Sequence, residues 1–440
     1  MSADAGLLLS YYGDDFSGST DVMEALTVRG LTTVLFLRPP AASDLRRFAG
    51  CRAVGVAGVS RSRPPAWMSA RLPPVFAALK ALGAPLCHYK VCSTFDSSPK
   101  VGSIGRAIEI GRDVFGTACV PMVVGAPALR RYVVFGNLFA AADGVSYRID
   151  RHPTMSRHPV TPMDEGDIRR HLSRQTGLRS GLVDILALHA GRTAEVYEKC
   201  RSEGNEVVLF DTLDEPSLRE AGRALWEMRP PQPSFVAGSS GVEYALLSWW
   251  AAAGLLPDPP ALAAPGPAER VLVVSGSCSP GTERQIRWAL SHDFEGVEVK
   301  AMELAHGQAE YARVRDAALA ALSDGRSVLV YSALGPGSIL GEGADFGIRL
   351  GERLGALAGD LVRTSGVRRV VIAGGDTSGH AGRALNIDAL TMICPIAPGG
   401  PLCRAWSAEP GTNGLEILLK GGQVGLERLF EDVRTGRAVC

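Results

Sequence analysis

Two long stretches in which short β-branched runs alternate with amphipathic segments, separated by one proline-rich piece, limit what this 440-residue chain can fold into. Strands that alternate with helices need crossover connections, and crossovers build parallel sheets with helices on their faces. Before the break the strand-like runs are GLLLSYY, TTVLFL, RAVGVAGV, PLCHYKV, CVPMVVG, LVDILAL, EVVLF and SFVAG. Helical patterns over 20–29, 67–82 and 164–176 lie between them. Residues 254–268, GLLPDPPALAAPGPA, hold five prolines and read as a semi-rigid linker. The alternation then restarts with VLVVSG, VEVKAM, SVLVYSAL, RRVVIAGG, LTMICPI and GLEILLKGG. The expected fold is α/β, with two domains, each a mostly parallel sheet flanked by helices. They cover residues 1–253 and 269–440, with the linker 254–268 between them.

Composition narrows the function. Lys+Arg and Asp+Glu are both 46, so the formal charge is zero, and the basic excess of a nucleic-acid binder is missing. Glycine, at 51 of 440 residues, is well above a usual share of roughly 7%. It is scattered through apolar segments, where it serves tight turns and close backbone approach to ligands. The nine cysteines include no CxxC pair, so they read as buried thiols in a reducing cytosol. The start, MSADAGLLLSYYGDD, lacks a basic leader region, and the most apolar stretch, Ala245 to Leu256, is too short to span a bilayer. A cytoplasmic protein without membrane or nucleic-acid partners is expected.

Three strands of the second half run into small, hydroxyl-rich turns. They are Val271-Leu-Val-Val-Ser-Gly-Ser-Cys-Ser-Pro-Gly-Thr282, Arg369-Val-Val-Ile-Ala-Gly-Gly-Asp-Thr-Ser-Gly379 and Leu415-Glu-Ile-Leu-Leu-Lys-Gly-Gly-Gln-Val-Gly425. Thr282 and Gln285 suggest a capping box for a helix after the first; the second should enter a helix near His380. Such turns suit phosphate, because successive N–H groups and a helix N-terminus face the ligand. Gly276-x4-Gly281 has P-loop spacing, but Thr282 stands where the lysine belongs. Gly335-Pro-Gly-Ser-Ile-Leu-Gly341 loosely matches a dinucleotide fingerprint.

In the first half, Gly13-Asp-Asp-Phe-Ser-Gly-Ser-Thr-Asp21 follows the first strand. Two adjacent carboxylates at a strand's carboxyl end suit ligand chemistry in an open α/β sheet. One could take a proton from a substrate hydroxyl while the other orients it; the competing reading is a helix cap. Arg61 and Lys90, at other strand ends, are cations for an anionic substrate. His152, His158 and His171 have poor spacing for metal ligands.

The Gly13–Asp21 string and Gly374-Gly-Asp-Thr-Ser-Gly379 resemble the "DD-T/S-G-x-x-D" and "GG-[DE]-T-S-G" motifs of the four-carbon acid sugar kinase family. Ser275-Gly-Ser-Cys-Ser279 and Lys420-Gly-Gly-Gln423 fall where its other nucleotide turns stand, so the resemblance covers nearly the whole chain. It implies an N-terminal domain holding a sugar acid, a C-terminal domain holding ATP (with Mg²⁺ implied alongside), and γ-phosphoryl transfer to a substrate hydroxyl. Asp14 and Asp15 would be catalytic, and Arg61, Lys90 and Asp96 would bind substrate. Ser275, Ser277, Ser332, Gly374, Gly375, Asp376, Thr377 and Gly421 would bind the nucleotide. Metal ligands and oligomeric state, homo-oligomer included, are left open. One departure stands out: commoner members read "K-x-D-S-T-L-R-G-N" where this chain has Lys90-Val-Cys-Ser-Thr-Phe-Asp-Ser-Ser98. Losing an arginine and gaining Asp96 alters what the pocket can hold. The substrate is therefore either a threonate, erythronate or 3-oxo-tetronate, or the branched acid 3-oxo-isoapionate. Two rival readings are an NAD(P)-dependent oxidoreductase, resting on Gly335–Gly341, and a non-catalytic two-domain small-molecule binding protein.

Overall fold

The structure, a computed structural model, describes residues 6–142, 144–335 and 344–438, without the side chains of residues 42, 344, 345 and 376. Its first strands are β1 (Leu9–Gly13), β2 (Thr33–Phe36), β3 (Ala53–Ala57), β4 (Leu86–Lys90), β5 (Val120–Val123) and β6 (Arg131–Val134). They are followed by β7 (Asn137–Ala142), β8 (Val145–Arg148), β9 (Ser180–Val183), β10 (Val207–Phe210) and β11 (Ser234–Gly238). Past the proline-rich segment come β12 (Leu272–Ser275), β13 (Phe294–Glu298), β14 (Ser327–Tyr331) and β15 (Arg369–Ala373), then β16 (Ala389–Ala397), β17 (Gly400–Trp406) and β18 (Glu416–Lys420). The chain forms two compact units, Met1–Thr33 with Pro39–Pro260, and Val34–Arg38 with Ala261–Cys440.

In the first unit seven strands pair in parallel in the order β3-β1-β4-β11-β5-β10-β9. Strands β1, β3, β4, β10 and β11 are buried along their whole length, which explains their continuous apolar runs. Met68, Leu72 and Phe76 of helix Pro65–Ala81 and Ala107 and Ile108 of helix Ile104–Phe115 pack on Tyr12, Val56, Cys87 and Tyr89. Helices Phe16–Thr27 and Gly241–Ala252 pack together elsewhere in the unit. Three details differ from the sequence expectation. LVDILAL is a strand only to Val183, and Ile185–His189 is a helix capped by Asp184. The helix expected over 164–176 is confined to Ile168–Ser173, and an antiparallel sheet, β6-β7-β8, was not foreseen.

In the second unit β13-β14-β12-β15-β18 are parallel, and β17, β16 and β2 continue antiparallel. Strand β2, which the sequence order would group with the first domain, pairs through Leu35 and Phe36 with Leu390 and Ala389. Val273, Val371 and Leu418 pack with Ile286 of helix Pro280–Leu290 and Phe430 of helix Leu429–Thr435. Helices Ala344–Ser365 and Gly375–Ala384 also pack against each other. Among the described residues no helix is long and apolar enough to cross a membrane.

Candidate active site

Parallel sheets put all strand carboxyl ends on one edge, and that edge carries the candidate residues of each unit. In the first unit, β1 ends at Gly13, and Asp14 turns with its N–H on the Lys90 carbonyl (2.9 Å). Asp15 is the N-cap of helix Phe16–Thr27, its Oδ1 accepting from the Gly18 N–H (2.8 Å). The cap is only half of its role. Arg61, in the 3₁₀ turn after β3, donates from Nε and Nη2 to Asp14 (3.1 and 2.7 Å) and from Nη1 to Asp15 Oδ2 (2.7 Å). Two carboxylates of its own chain thus hold the Nε, Nη1 and Nη2 sides of the Arg61 fork. Burial works against the charged guanidinium, and Asp14 and Asp15 outweigh it, so Arg61 stays charged. Burial pushes the Asp14 carboxyl up, with Arg61 opposing and Asp15 adding to the shift.

Lys90 ends β4, is 3% exposed, and acts electrostatically on Asp14 and Asp21. Its ammonium fits under the first turn of the helix only because position 18 is glycine: a Cβ there would lie 2.5 Å from both Lys90 Nζ and Asp15 Oδ1. Asp21 points to the same cluster and hydrogen-bonds Ser240. It is the last residue of the Gly13–Asp21 string, a position from which the sequence alone suggests no role.

The loop after β4 turns through Phe95, whose φ of 57° lies in the left-handed region, and brings Asp96 back toward Arg61. Asp96 accepts from the Thr94 hydroxyl (2.6 Å) and the Thr161 hydroxyl (3.2 Å). Burial pushes its carboxyl up, but Arg61, Thr94 and His158 more than offset that, so it is held below the ordinary aspartate range. Ser97 anchors the loop, with His171 Nε2 at 3.0 Å and Gln175 Nε2 at 2.8 Å from its hydroxyl. The three histidines serve separate local tasks: His171 holds Ser97, His158 contacts Thr161, and His152 accepts from the Thr154 and Met155 N–H groups. Thr161 and His158 had no sequence signal, because nothing local ties residue 161 to residue 96.

In the second unit the three hydroxyl-rich turns meet. Gly276 N donates to the Ala373 carbonyl (3.0 Å), and Gly374 N donates to the Lys420 carbonyl (2.9 Å). Gly374 has φ 124°, and a Cβ on Gly276 would lie 2.3 Å from Thr377 Oγ1, so these turns are closed by glycine. Ser279, not Thr282, caps helix Pro280–Leu290, and it also donates to the Gly422 carbonyl (2.6 Å). No capping box forms, since Gln285 reaches instead to the Val424, Gly425 and Leu426 carbonyls of the third turn. The second turn enters its helix at Gly375, five residues before the expected start. Ser277 lies within 3.3 Å of Ser279 Oγ, Ser332 donates its N–H to the Ser275 carbonyl (3.1 Å), and Gly421 begins the third turn. A cavity of about 500 Å³ opens beside this region, lined by Gly281, Arg284, Gly425, Leu426, Arg428 and Arg437. Residues 336–341 of the dinucleotide-like turn and the Asp376 side chain lie outside the described residues. No cluster of three His, Cys, Asp or Glu suited to a metal occurs among the described residues.

An acidic, arginine-bridged turn on one parallel sheet and three phosphate-suited turns on another define a two-domain kinase of small acids. Residues 9–246 match the family described as "Sugar-binding N-terminal domain" and residues 272–430 the one described as "Nucleotide-binding C-terminal domain"; the chain belongs to the four-carbon acid sugar kinase family. It is 51% identical to the 3-oxo-isoapionate kinase of Paraburkholderia graminis, over 98% of this chain and 95% of that protein. It is 31% identical to the 3-oxo-tetronate kinase of Cupriavidus necator, over 97% and 96% of the two chains. A crystal structure from Salmonella typhimurium LT2 matches with a TM-score of 0.79 and 26% identity, covering 97% of this chain and 98% of that one.

Proposed function

We propose that this ATP-dependent sugar-acid kinase phosphorylates the branched acid 3-oxo-isoapionate, holding it on the Asp14–Lys90 edge of the first unit and ATP on the three turns of the second. The observation that carries the substrate is the 51% identity to a 3-oxo-isoapionate kinase, against 31% to a 3-oxo-tetronate kinase. Asp96 supports it: an ionised carboxylate steadied by two threonine hydroxyls accepts hydrogen bonds from substrate hydroxyls, of which a branched acid offers one more.

In this reading Lys90 and the free N–H groups of Arg61 face the substrate carboxylate. Asp14, the more buried of the pair (side chain 6% exposed against 19% for Asp15), fixes Arg61. Asp15 takes the proton from the attacking hydroxyl. ATP supplies the phosphoryl group, and Ser275, Ser277, Ser332, Gly374, Gly375, Asp376, Thr377 and Gly421 surround its phosphates. The described residues offer no dedicated metal cage, which fits a Mg²⁺ carried in by the nucleotide's own phosphates.

Wild-type protein with ATP and 3-oxo-isoapionate is expected to release ADP. Asp15→Asn, which keeps a capping oxygen, should lower kcat by about 10²-fold with KM nearly unchanged, since a loose phosphoryl transition state asks little of a base. Initial rates for the two proteins decide this. A kcat near wild type would leave Asp15 as a helix cap alone.

A further inference from the structure

A buried lysine with no counter-ion among the described residues stands at the positive end of a helix in the second unit. Lys420 ends β18 and is fully buried. The last residues of three strands are in register, Ser275 beside Ala373 and Ala373 beside Lys420. Paired residues of neighbouring strands point to one face, so a hydroxyl, a methyl and an ammonium form a row. Val273, Val371 and Leu418, two residues earlier on each strand, pack with Ile286, so the row lies on the face covered by helix Pro280–Leu290.

Lys420 Nζ donates to Thr282 Oγ1 (2.9 Å) in the first turn of that helix, and Ser279 Oγ also lies 3.0 Å from this hydroxyl. Among the described residues Lys420 has no ion pair, and burial alone pushes its ammonium down to about 7. Ser275 Oγ, also buried, has no hydrogen-bond partner among the described residues. A cation is disfavoured at a helix N-terminus and in a low-dielectric interior unless an anion joins it. Two positive features and an unpartnered donor around one helix start call for a multiply charged anion.

Resting on the reading of ATP as phosphoryl donor, we propose that Lys420 answers the charge of the nucleotide's polyphosphate. It supplies from the end of β18 the lysine that the Gly276–Gly281 turn lacks in sequence, with Ser275 beside it as hydroxyl donor. The position where a P-loop carries its lysine holds Thr282 here, and Thr282 is the residue Lys420 contacts. Among the described residues, the groups found at the ammonium are neutral: the Thr282 hydroxyl to which it donates and the Ser279 hydroxyl beside that.

The test is calorimetric binding of ATP, ADP and AMP to the full chain. Wild-type affinity should rise with phosphate number. Lys420→Met should lose tenfold or more for ATP and less than twofold for AMP. Equal loss for both, or loss for neither, overturns the proposal and leaves Lys420 as a strut for the helix. Wild-type titrations at pH 8 in two buffers of different ionisation enthalpy need no variant: proton uptake should accompany ATP and be smaller with AMP. Uptake that is absent, or equal for both, also overturns it. Wild-type protein that binds none of the three nucleotides overturns the kinase reading itself, a result distinct from lost phosphate dependence.

Discussion

Asp14, Asp15 and Arg61 show how charged groups gathered at strand ends satisfy one another. The guanidinium bridges two adjacent carboxylates that would otherwise repel, and the strand-end cations divide into one that holds both acids and one, Lys90, that is buried under Gly18. Lys420 carries a pH signature. Its folded pKa, about 7, lies below the 10.5 of an exposed lysine, so between these values the unfolded chain binds more protons than the folded one. Stability therefore rises with pH across that window and falls as pH drops toward 7. Chemical denaturation at pH 7, 8 and 9 should show wild type gaining stability relative to Lys420→Met at each step. A constant difference between the two proteins would mean that the ammonium is not held neutral by burial. The aspartate pair, Lys90 and the glycine turns were legible because each sits in a contiguous string. The Asp96–Thr161 contact and the Lys420–Thr282 contact were not, since they join residues 65 and 138 positions apart.

At the scale of elements, each site depends on a glycine that admits a neighbour's side chain. Gly18→Ala places a methyl against Lys90 Nζ and Asp15 Oδ1, whereas Gly276→Ala places one against Thr377 Oγ1. The first should raise KM for the sugar acid by about tenfold and leave nucleotide affinity near wild type; the second should do the reverse, each tenfold step corresponding to about 1.4 kcal/mol. Steady-state kinetics with each substrate varied in turn checks both. Coupled losses in either variant would contradict the assignment of one ligand to each unit. Most strands were readable from their β-branched runs, because fully buried parallel strands leave little polar interruption. The hairpin strands β6 to β8 escaped because they are half-exposed and short, with Arg131, Tyr132 and Ser146 interrupting any apolar run. The start of helix Gly375–Ala384 was misplaced because glycine, serine and threonine read as turn chemistry even where, as here, they form a helical first turn.

For the whole molecule, the two compact units divide at Pro260–Ala261, and chain order could not show that Val34–Arg38 belongs to the second of them. That segment covers one edge of β16, a strand rich in apolar residues. A fragment of residues 261–440 alone would expose this edge, and an exposed apolar edge strand invites association. The fragment should elute as oligomers, and restoring residues 32–38 by fusion should return a monomeric profile of higher melting temperature. A fragment already monomeric and equally stable would show that the strand is dispensable. A pocket shaped for a branched sugar acid would show in kcat/KM for 3-oxo-isoapionate and for 3-oxo-tetronate, measured side by side with saturating ATP. A preference of tenfold or more for 3-oxo-isoapionate is predicted. A preference for 3-oxo-tetronate, or no turnover of either acid, would contradict it.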